Sequence, residues 1–185
     1  MGLSCEKTEI KVEETKKAKK KLSRSEFHKI PDSLDINPEN IANKNMLELH
    51  NKFRRIHQVD NLKKNNELNI KAKKYAQMLL EQNSHLKENN LYNNEIIGEN
   101  IYISDKEESE ENIINLWYNE KSNYNYDLNN FQRGTNHFTQ IVWKSTKQVG
   151  FGSFKSSNKF CYVALYYPAG NIFGKFGENV LNDCL

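Results

Sequence analysis

Two histidines and two glutamates are the residues of this chain whose types are best suited to chemistry. They are His85, Glu99, Glu120 and His137, and each lies near the end of a predicted helix or loop. Neutral imidazoles bind zinc or copper, and carboxylates nearby can orient them, ligate the metal or hold a water for proton transfer. The sequence has no HExxH motif and no CxxC pair, so the spacing alone describes only polar residues at loop ends.

Apolar residues recur at steps of three and four in the segments that must position these side chains. Such steps place them on one stripe of a helix. The predicted helices run from Met46 to near His57, from Leu68 to about Gln82, from the Ser109 cap through Lys121, and from Thr135 to Trp143.

The third of these helices has a clear start. Ser109 is a suitable N-cap, and Glu110 and Glu111 put negative charge at the positive end of the helix dipole. The spacing then predicts that Trp117 points inward while Glu120 lies on an adjoining face.

A strand hairpin is predicted after the fourth helix. The segment VGFGSF is followed by a turn at Ser156-Ser157-Asn158 and by the β-branched and aromatic run KFCYVALYY. Both faces of that run are apolar, so the strand should be central and covered on both sides by helices. The sequence therefore predicts an α+β fold, a three-layer α-β-α sandwich.

The N-terminal segment differs from the rest in composition. Residues 1 to about 36 alternate acidic and basic patches with few apolar residues, which predicts a disordered, mobile tail. The Pro31 and Pro38 region is predicted to form a hinge. We therefore divide the chain into a flexible charged tail, residues 1–39, and one domain, residues 40–185.

Charge, cysteine content and hydrophobicity indicate which partners and which compartment the sequence favours. A net charge of +3 and a pI near 8.6 give no support for nucleic-acid binding, and no such motif is present. Three irregularly spaced cysteines and no signal-peptide h-region favour a reducing compartment. No run approaches the ~20 apolar residues of a membrane span, so membrane association should be peripheral or through a lipid.

Five motifs in order resemble the CAP superfamily, which contains the cysteine-rich secretory, antigen 5 and pathogenesis-related proteins. The two family signatures are similar to GTNHFTQIVWKSTKQVGFG and YVALYYPAGN. The resemblance extends over residues 46 to 182 through HNKFRRIH at 50–57, GENIY at 98–102 and LWYNEKSNYNY at 116–126. It implies the CAP (SCP) fold for residues 40–185, a three-layer sandwich like the one predicted above.

The resemblance also implies a shared cleft. In the family a His-Glu-Glu-His tetrad lines it, which corresponds here to His85, Glu99, Glu120 and His137. Asn136 stands where the family usually has Gly, and Ala164 and Leu165 replace a cysteine and a polar residue of the second signature. Because the secreted members' cysteines are missing, the chain looks most like the intracellular, Golgi-associated branch.

The function that the resemblance implies is non-enzymatic binding. The cleft would take a divalent cation, zinc, through His85 and His137, and the protein would bind acidic lipids, a sterol or a protein partner. The alternative is a zinc-dependent hydrolase or protease in which Glu99 or Glu120 is the general base. A third reading is self-association as a homodimer through aromatic residues around Tyr124, Tyr126 and Phe131.

The N-terminus offers two candidate lipidation sites. Gly2 begins a myristoylation pattern that is incomplete because Glu6 replaces Ser or Thr, and Cys5 could accept a palmitoyl group. The basic run Lys16 to Lys21 could sit against anionic headgroups. We therefore expect an intracellular protein, cytoplasmic or peripheral on a cytoplasmic membrane face, with secretion by a route without a signal peptide as the alternative.

Overall fold

The computed structural model describes residues 38–81 and 91–184. The predicted tail up to residue 37, with Gly2 and Cys5, lies outside the described residues. Its predicted disorder and lipidation, and the division at residue 39, therefore stay predictions.

Helices and strands follow one another in a mixed order. The helices are α1 Pro38–Ile56, α2 Asn66–Glu81, α3 Glu110–Asn119, α4 Asn136–Val142 and α5 Phe176–Asn179. The strands are β1 Lys63–Lys64, β2 Leu91–Tyr92, β3 Glu95–Ile96, β4 Gly98–Ser104, β5 Gln148–Ser156 and β6 Lys159–Tyr167. Short 3₁₀ turns at Glu120–Asn123 and Tyr126–Leu128 join α3 to α4.

The main sheet has the strand order β1-β5-β6-β4. Strand β6 pairs antiparallel with β5 on one side and with β4 on the other, whereas β1 pairs parallel with β5. The predicted hairpin and the central position of β6 are confirmed. Both faces of β6 are apolar because helices cover each of them.

Two hydrophobic clusters lie on opposite faces of this sheet. On one face α2 packs against alternate residues of β6, which include Cys161, Val163 and Leu165. On the other face α1, α3 and α4 pack against the intervening positions, which include Ala164 and Tyr166. The three-layer α-β-α prediction is therefore confirmed.

Helix α1 begins at Pro38 rather than at Met46, so Pro38 is its first residue and not part of a hinge. Proline suits the first turn of a helix, where its missing N–H needs no partner. Near the other end of α1, the buried Arg54 guanidinium donates to four backbone carbonyls, one in the loop after α1 and three at the end of α4 or just beyond it. These acceptors are Asp60 O at 2.7 Å, Ile141 O and Trp143 O at 2.9 Å, and Thr146 O at 3.1 Å.

The sequence predicts no helix or strand between Gln82 and Ser109, yet strands form within residues 91–104. The segment contains the β2–β3 hairpin and the edge strand β4. Asparagine has low β-propensity, so the composition does not predict a strand here. All seven residues of β4 nevertheless pair with β6, and this pairing overrides the local preference. This matters because β4 carries Glu99.

Candidate functional site

Glu120 and His137 form the centre of the candidate site. The Nδ1–H of His137 donates to Glu120 Oε1 at 2.6 Å. The other carboxylate oxygen, Oε2, accepts the backbone N–H groups of His137 at 2.8 Å and of Phe138 at 3.2 Å. One carboxylate thus fixes both the ring and the backbone of His137, and both side chains remain partly open to solvent.

Helix α3 and the 3₁₀ turn that follows it place Glu120. The N-cap of α3 is Ser109, whose Oγ accepts the N–H of Asn112 at 3.2 Å, as predicted. Trp117 is buried and lies one turn before Glu120, so both face α4. The Trp117 ring stacks on the His137 imidazole with a centroid separation of 6.0 Å and an interplanar angle of 24°. The predicted inward position of Trp117 is confirmed.

A buried chain of hydrogen bonds leads from α1 to the backbone of His137. His50 Nδ1–H donates to Met46 O at 2.7 Å, which leaves Nε2 to accept the Tyr166 hydroxyl proton at 2.7 Å. The Asn100 amide then donates both to Tyr166 Oη and to His137 O, each at 3.1 Å. We name His50, Tyr166 and Asn100 the buried relay; all three are fully buried.

Burial fixes the protonation state of this relay. It lowers the pKa of His50 from 6.5 to about 3, while the hydrogen bond to Met46 opposes the shift and nearby Arg54 adds to it. Burial also raises the pKa of Tyr166 well above its usual value. Near neutral pH both groups are uncharged, which the donor and acceptor roles of the relay require.

One buried polar atom of the relay and one of the neighbouring Trp117 have no hydrogen-bond partner in the described part of the chain. They are the Asn100 Oδ1 oxygen and the Trp117 Nε1 nitrogen. Buried polar groups are normally paired, often with ordered water. Asn100 therefore takes part in the relay through its amide N–H groups, while its oxygen has no described partner.

Of the two other predicted site residues, the structure describes Glu99 but not His85. Glu99 lies on β4 between Gly98, which packs on Gln140 of α4, and Asn100 of the buried relay. His85 falls outside the described residues, so its position in the cleft stays a prediction. Within residues 38–81 and 91–184 no group of three or more His, Cys, Asp or Glu side chains could hold a metal ion.

The sequence reasoning missed the buried relay. His50, Asn100 and Tyr166 all stand in segments that resemble the family, yet only Glu99 of the GEN motif was assigned a role. A strand prediction for residues 98–104 would have found Asn100, because successive residues of a strand point to opposite faces.

The aromatic residues considered for self-association divide into two groups. Tyr124 is buried against Phe138 and belongs to the core, and Tyr126 packs on Tyr124. Phe131 is half exposed and contacts Phe176 of α5. Only Phe131 of the three offers a large exposed ring.

Comparison with known proteins finds matches over most of the described chain. The family model "CAP: Cysteine-rich secretory protein family" matches residues 47–167. The chain is 37% identical over 139 residues to Golgi-associated plant pathogenesis-related protein 1 of Homo sapiens, which covers 74% of this chain and 90% of that protein. It is also 37% identical over 75 residues to Pathogenesis-related protein 1 of Arabidopsis thaliana, which covers 40% of this chain and 47% of the relative.

Solved structures share the fold. The crystal structure of NaASP2 with Zn²⁺ superposes with a TM-score of 0.59 at 22% identity and covers 77% of this chain and 86% of that chain. The structure of Schistosoma mansoni venom allergen-like protein 4 gives a TM-score of 0.58 at 21% identity, covering 78% of this chain and 96% of that chain. At such identities the likeness concerns the fold alone.

Proposed function

Because the chain belongs to the CAP family, we propose that it is a non-enzymatic binding protein with a zinc site in its cleft. In this proposal His85 and His137 are the metal ligands, and Glu99 and Glu120 line the cleft. The protein associates peripherally with membranes and binds acidic lipids, a sterol or a protein partner.

The observation that supports the zinc site is the Glu120–His137 pair. A carboxylate that accepts the Nδ1–H of a histidine fixes the tautomer, so the lone pair lies on Nε2, which no described residue hydrogen-bonds. This is how metal-binding histidines are usually held, and the donor set suits zinc. A bound zinc would supply Lewis acidity. NaASP2, which shares the fold, has been crystallised with Zn²⁺.

The same geometry makes Glu120 an orienting group rather than a general base. Its two carboxylate oxygens already accept three hydrogen bonds, all from the first turn of α4. In the alternative function, a zinc-dependent hydrolase, the base would therefore be Glu99. We keep non-enzymatic binding as the proposal, and Glu99 is the residue whose replacement tests the alternative.

Zinc titration of the full chain by calorimetry tests the proposal. We expect the wild-type protein to bind one zinc ion at this site and the double variant His85→Ala, His137→Ala to lose it. His28→Ala is the matched control, because His28 lies in the tail and has no proposed role. An unchanged zinc isotherm in the double variant would exclude the site.

Hydrolytic rates of the same proteins on peptide and ester substrates separate the two functions. Zinc retention without a zinc-dependent rate supports binding. A rate that is lost in the double variant and in Glu99→Gln would instead establish the hydrolase.

The membrane and location parts of the proposal come from family membership. The human relative is named as Golgi-associated, which supports an intracellular protein, cytoplasmic or peripheral on a cytoplasmic membrane face. No described helix has the length and apolarity to cross a membrane. The tail residues Gly2 and Cys5 would supply lipid attachment, and self-association as a homodimer would add a second contact with the bilayer.

A further inference from the structure

The loop between β6 and α5 exposes two large apolar side chains side by side. Phe173 is 80% exposed and Ile172 is 49% exposed. Burying such side chains is favourable, so a fixed pair of them in water indicates a surface that another phase or molecule covers. Phe131, which is 52% exposed, contacts the buried Phe176 ring of α5, the helix that follows this loop.

Hydrogen bonds to α4 hold the loop in this conformation. Gly170 N–H donates to Gln140 Oε1 at 2.8 Å. Asn171 accepts from Thr139 Oγ1 at 2.6 Å and donates to Asn136 O at 2.9 Å. The apolar tip is therefore presented by an ordered loop and needs no rearrangement to be exposed.

Lysines surround the base of this loop. A groove of about 570 Å³ is lined by Lys144, Lys147 and Lys175 together with Ile172. Two of the amines make exposed ion pairs, Lys147 with Asp60 at 3.0 Å and Lys175 with Glu178 at 3.2 Å. Exposed pairs of this kind are weak, so the amines can turn to a stronger anionic partner.

We propose that the loop Pro168–Lys175 is the membrane-docking surface of the domain, with Ile172 and Phe173 inserted among the lipids and the three lysines at the level of anionic headgroups. An apolar tip ringed by cations matches the interface of an anionic bilayer, where aromatic and aliphatic side chains lie below the phosphates and lysines among them. The inference rests on the proposed peripheral membrane association and specifies its surface.

The docking surface adjoins the cleft through α4. Asn136, Thr139 and Gln140, which anchor the loop, lie on the same short helix as His137. A membrane at the loop would therefore lie close to the α4 segment that carries His137.

Lipid quenching of tryptophan fluorescence tests the docking surface directly in the full chain. The native Trp117 and Trp143 are 2% and 0% exposed, so they give little background. We expect Phe173→Trp to be quenched by brominated lipids in phosphatidylserine-containing vesicles. The matched control is Ile96→Trp, at a 71% exposed position on the β2–β3 hairpin, and it should not be quenched.

Vesicle sedimentation measures the affinity of each variant for the membrane. Phe173→Ser should weaken binding to phosphatidylserine vesicles roughly ten-fold, since one large apolar side chain no longer inserts. Lys144→Glu should weaken it at least about five-fold. Ile96→Ser should leave binding unchanged.

The outcomes separate this inference from the function it rests on. If the wild-type chain does not bind the vesicles, both the membrane association and the docking surface are wrong. If it binds but Phe173→Trp is not quenched and Phe173→Ser binds normally, another part of the chain, such as the basic tail, contacts the membrane and only the docking surface is wrong. If Phe173→Ser instead converts a dimer to a monomer without affecting vesicle binding, the loop is a homodimer contact.

Discussion

At the scale of single residues, one hydroxyl group connects helix α1 to the candidate site. The Tyr166 O–H donates to His50 Nε2, and its oxygen accepts from the Asn100 amide, which also donates to the carbonyl of His137. All three side chains are fully buried, so removing one partner leaves a buried donor or acceptor without its hydrogen bond. The relay is therefore sensitive to the loss of a single atom.

We expect Tyr166→Phe to lower the free energy of unfolding by about 1–3 kcal/mol, because the change leaves His50 Nε2 and one Asn100 N–H buried without partners. Urea unfolding monitored by circular dichroism measures this loss. The matched control is Tyr126→Phe, since the Tyr126 hydroxyl is buried with no partner among the described residues. Its removal should be neutral or stabilising, and equal losses in both variants would contradict the role of the relay.

The site residues differ in how far sequence could identify them. Glu120 and His137 stand in the motifs that resemble the family, and the structure brings them into direct contact. The relay residues could not be identified in the same way, because their roles depend on which face of a strand or helix meets which neighbour. Asn100 has a role only once residues 98–104 are known to be a strand.

At the scale of elements, two glycines let α2 pack directly on strand β5. A Cβ atom on Gly150 would lie 2.3 Å from the backbone carbon of Leu68, and one on Gly152 would lie 2.1 Å from the backbone nitrogen of Lys73. Such distances are possible only without a side chain. The glycines of the VGFG sequence near the start of β5 are therefore required for α2 to pack on the sheet.

We expect Gly152→Ala to destabilise the protein by about 3 kcal/mol, because the added methyl group meets the α2 backbone, which cannot move without separating helix and sheet. Thermal unfolding measures the change. Ser153→Ala is the matched control on the next, exposed position of β5 and should change stability by less than about 0.5 kcal/mol. A similar small effect at Gly152 would show that α2 tolerates displacement.

Local signals predicted most elements, and tertiary pairing decided the others. The Ser109 cap and the apolar steps identified α3 and α4 closely. Strand β4 was missed because its Gly-Glu-Asn start has low strand propensity, and its pairing partner β6 lies some sixty positions away. The early start of α1 was missed because proline was interpreted as a hinge residue rather than a helix start.

At the scale of the whole molecule, two buried histidines link different parts of the fold through hydrogen bonds that they make in their uncharged form. His50 connects α1 to the sheet through Tyr166. His57 donates from Nδ1 to Leu181 O at 2.7 Å and accepts from the Tyr118 hydroxyl at 2.9 Å, which ties the C-terminal segment to α1 and α3. Burial lowers the pKa of both, to about 3 for His50. For His57 the Leu181 hydrogen bond opposes this shift.

These lowered pKa values predict that stability falls as the pH is reduced. Below about pH 6.5 the unfolded chain takes up protons on His50 and His57, whereas the folded protein does not until the pH approaches the lower folded values. The slope is at most about 1.4 kcal/mol per pH unit for each histidine. Between about pH 6.5 and about pH 5 the carboxylates with lowered pKa values contribute little, because they titrate below that range.

Urea unfolding at several pH values in this window measures the slope. We expect His50→Gln to remove close to one proton from this slope at the acid end of the window, and His57→Gln to reduce the slope as well. Both variants should be less stable at neutral pH, because each loses buried hydrogen bonds. His28→Gln, in the tail, should leave the slope unchanged. If both buried-site variants keep the wild-type slope, the two imidazoles take up protons in the folded state, and they cannot hold the layers together as uncharged hydrogen-bonding groups.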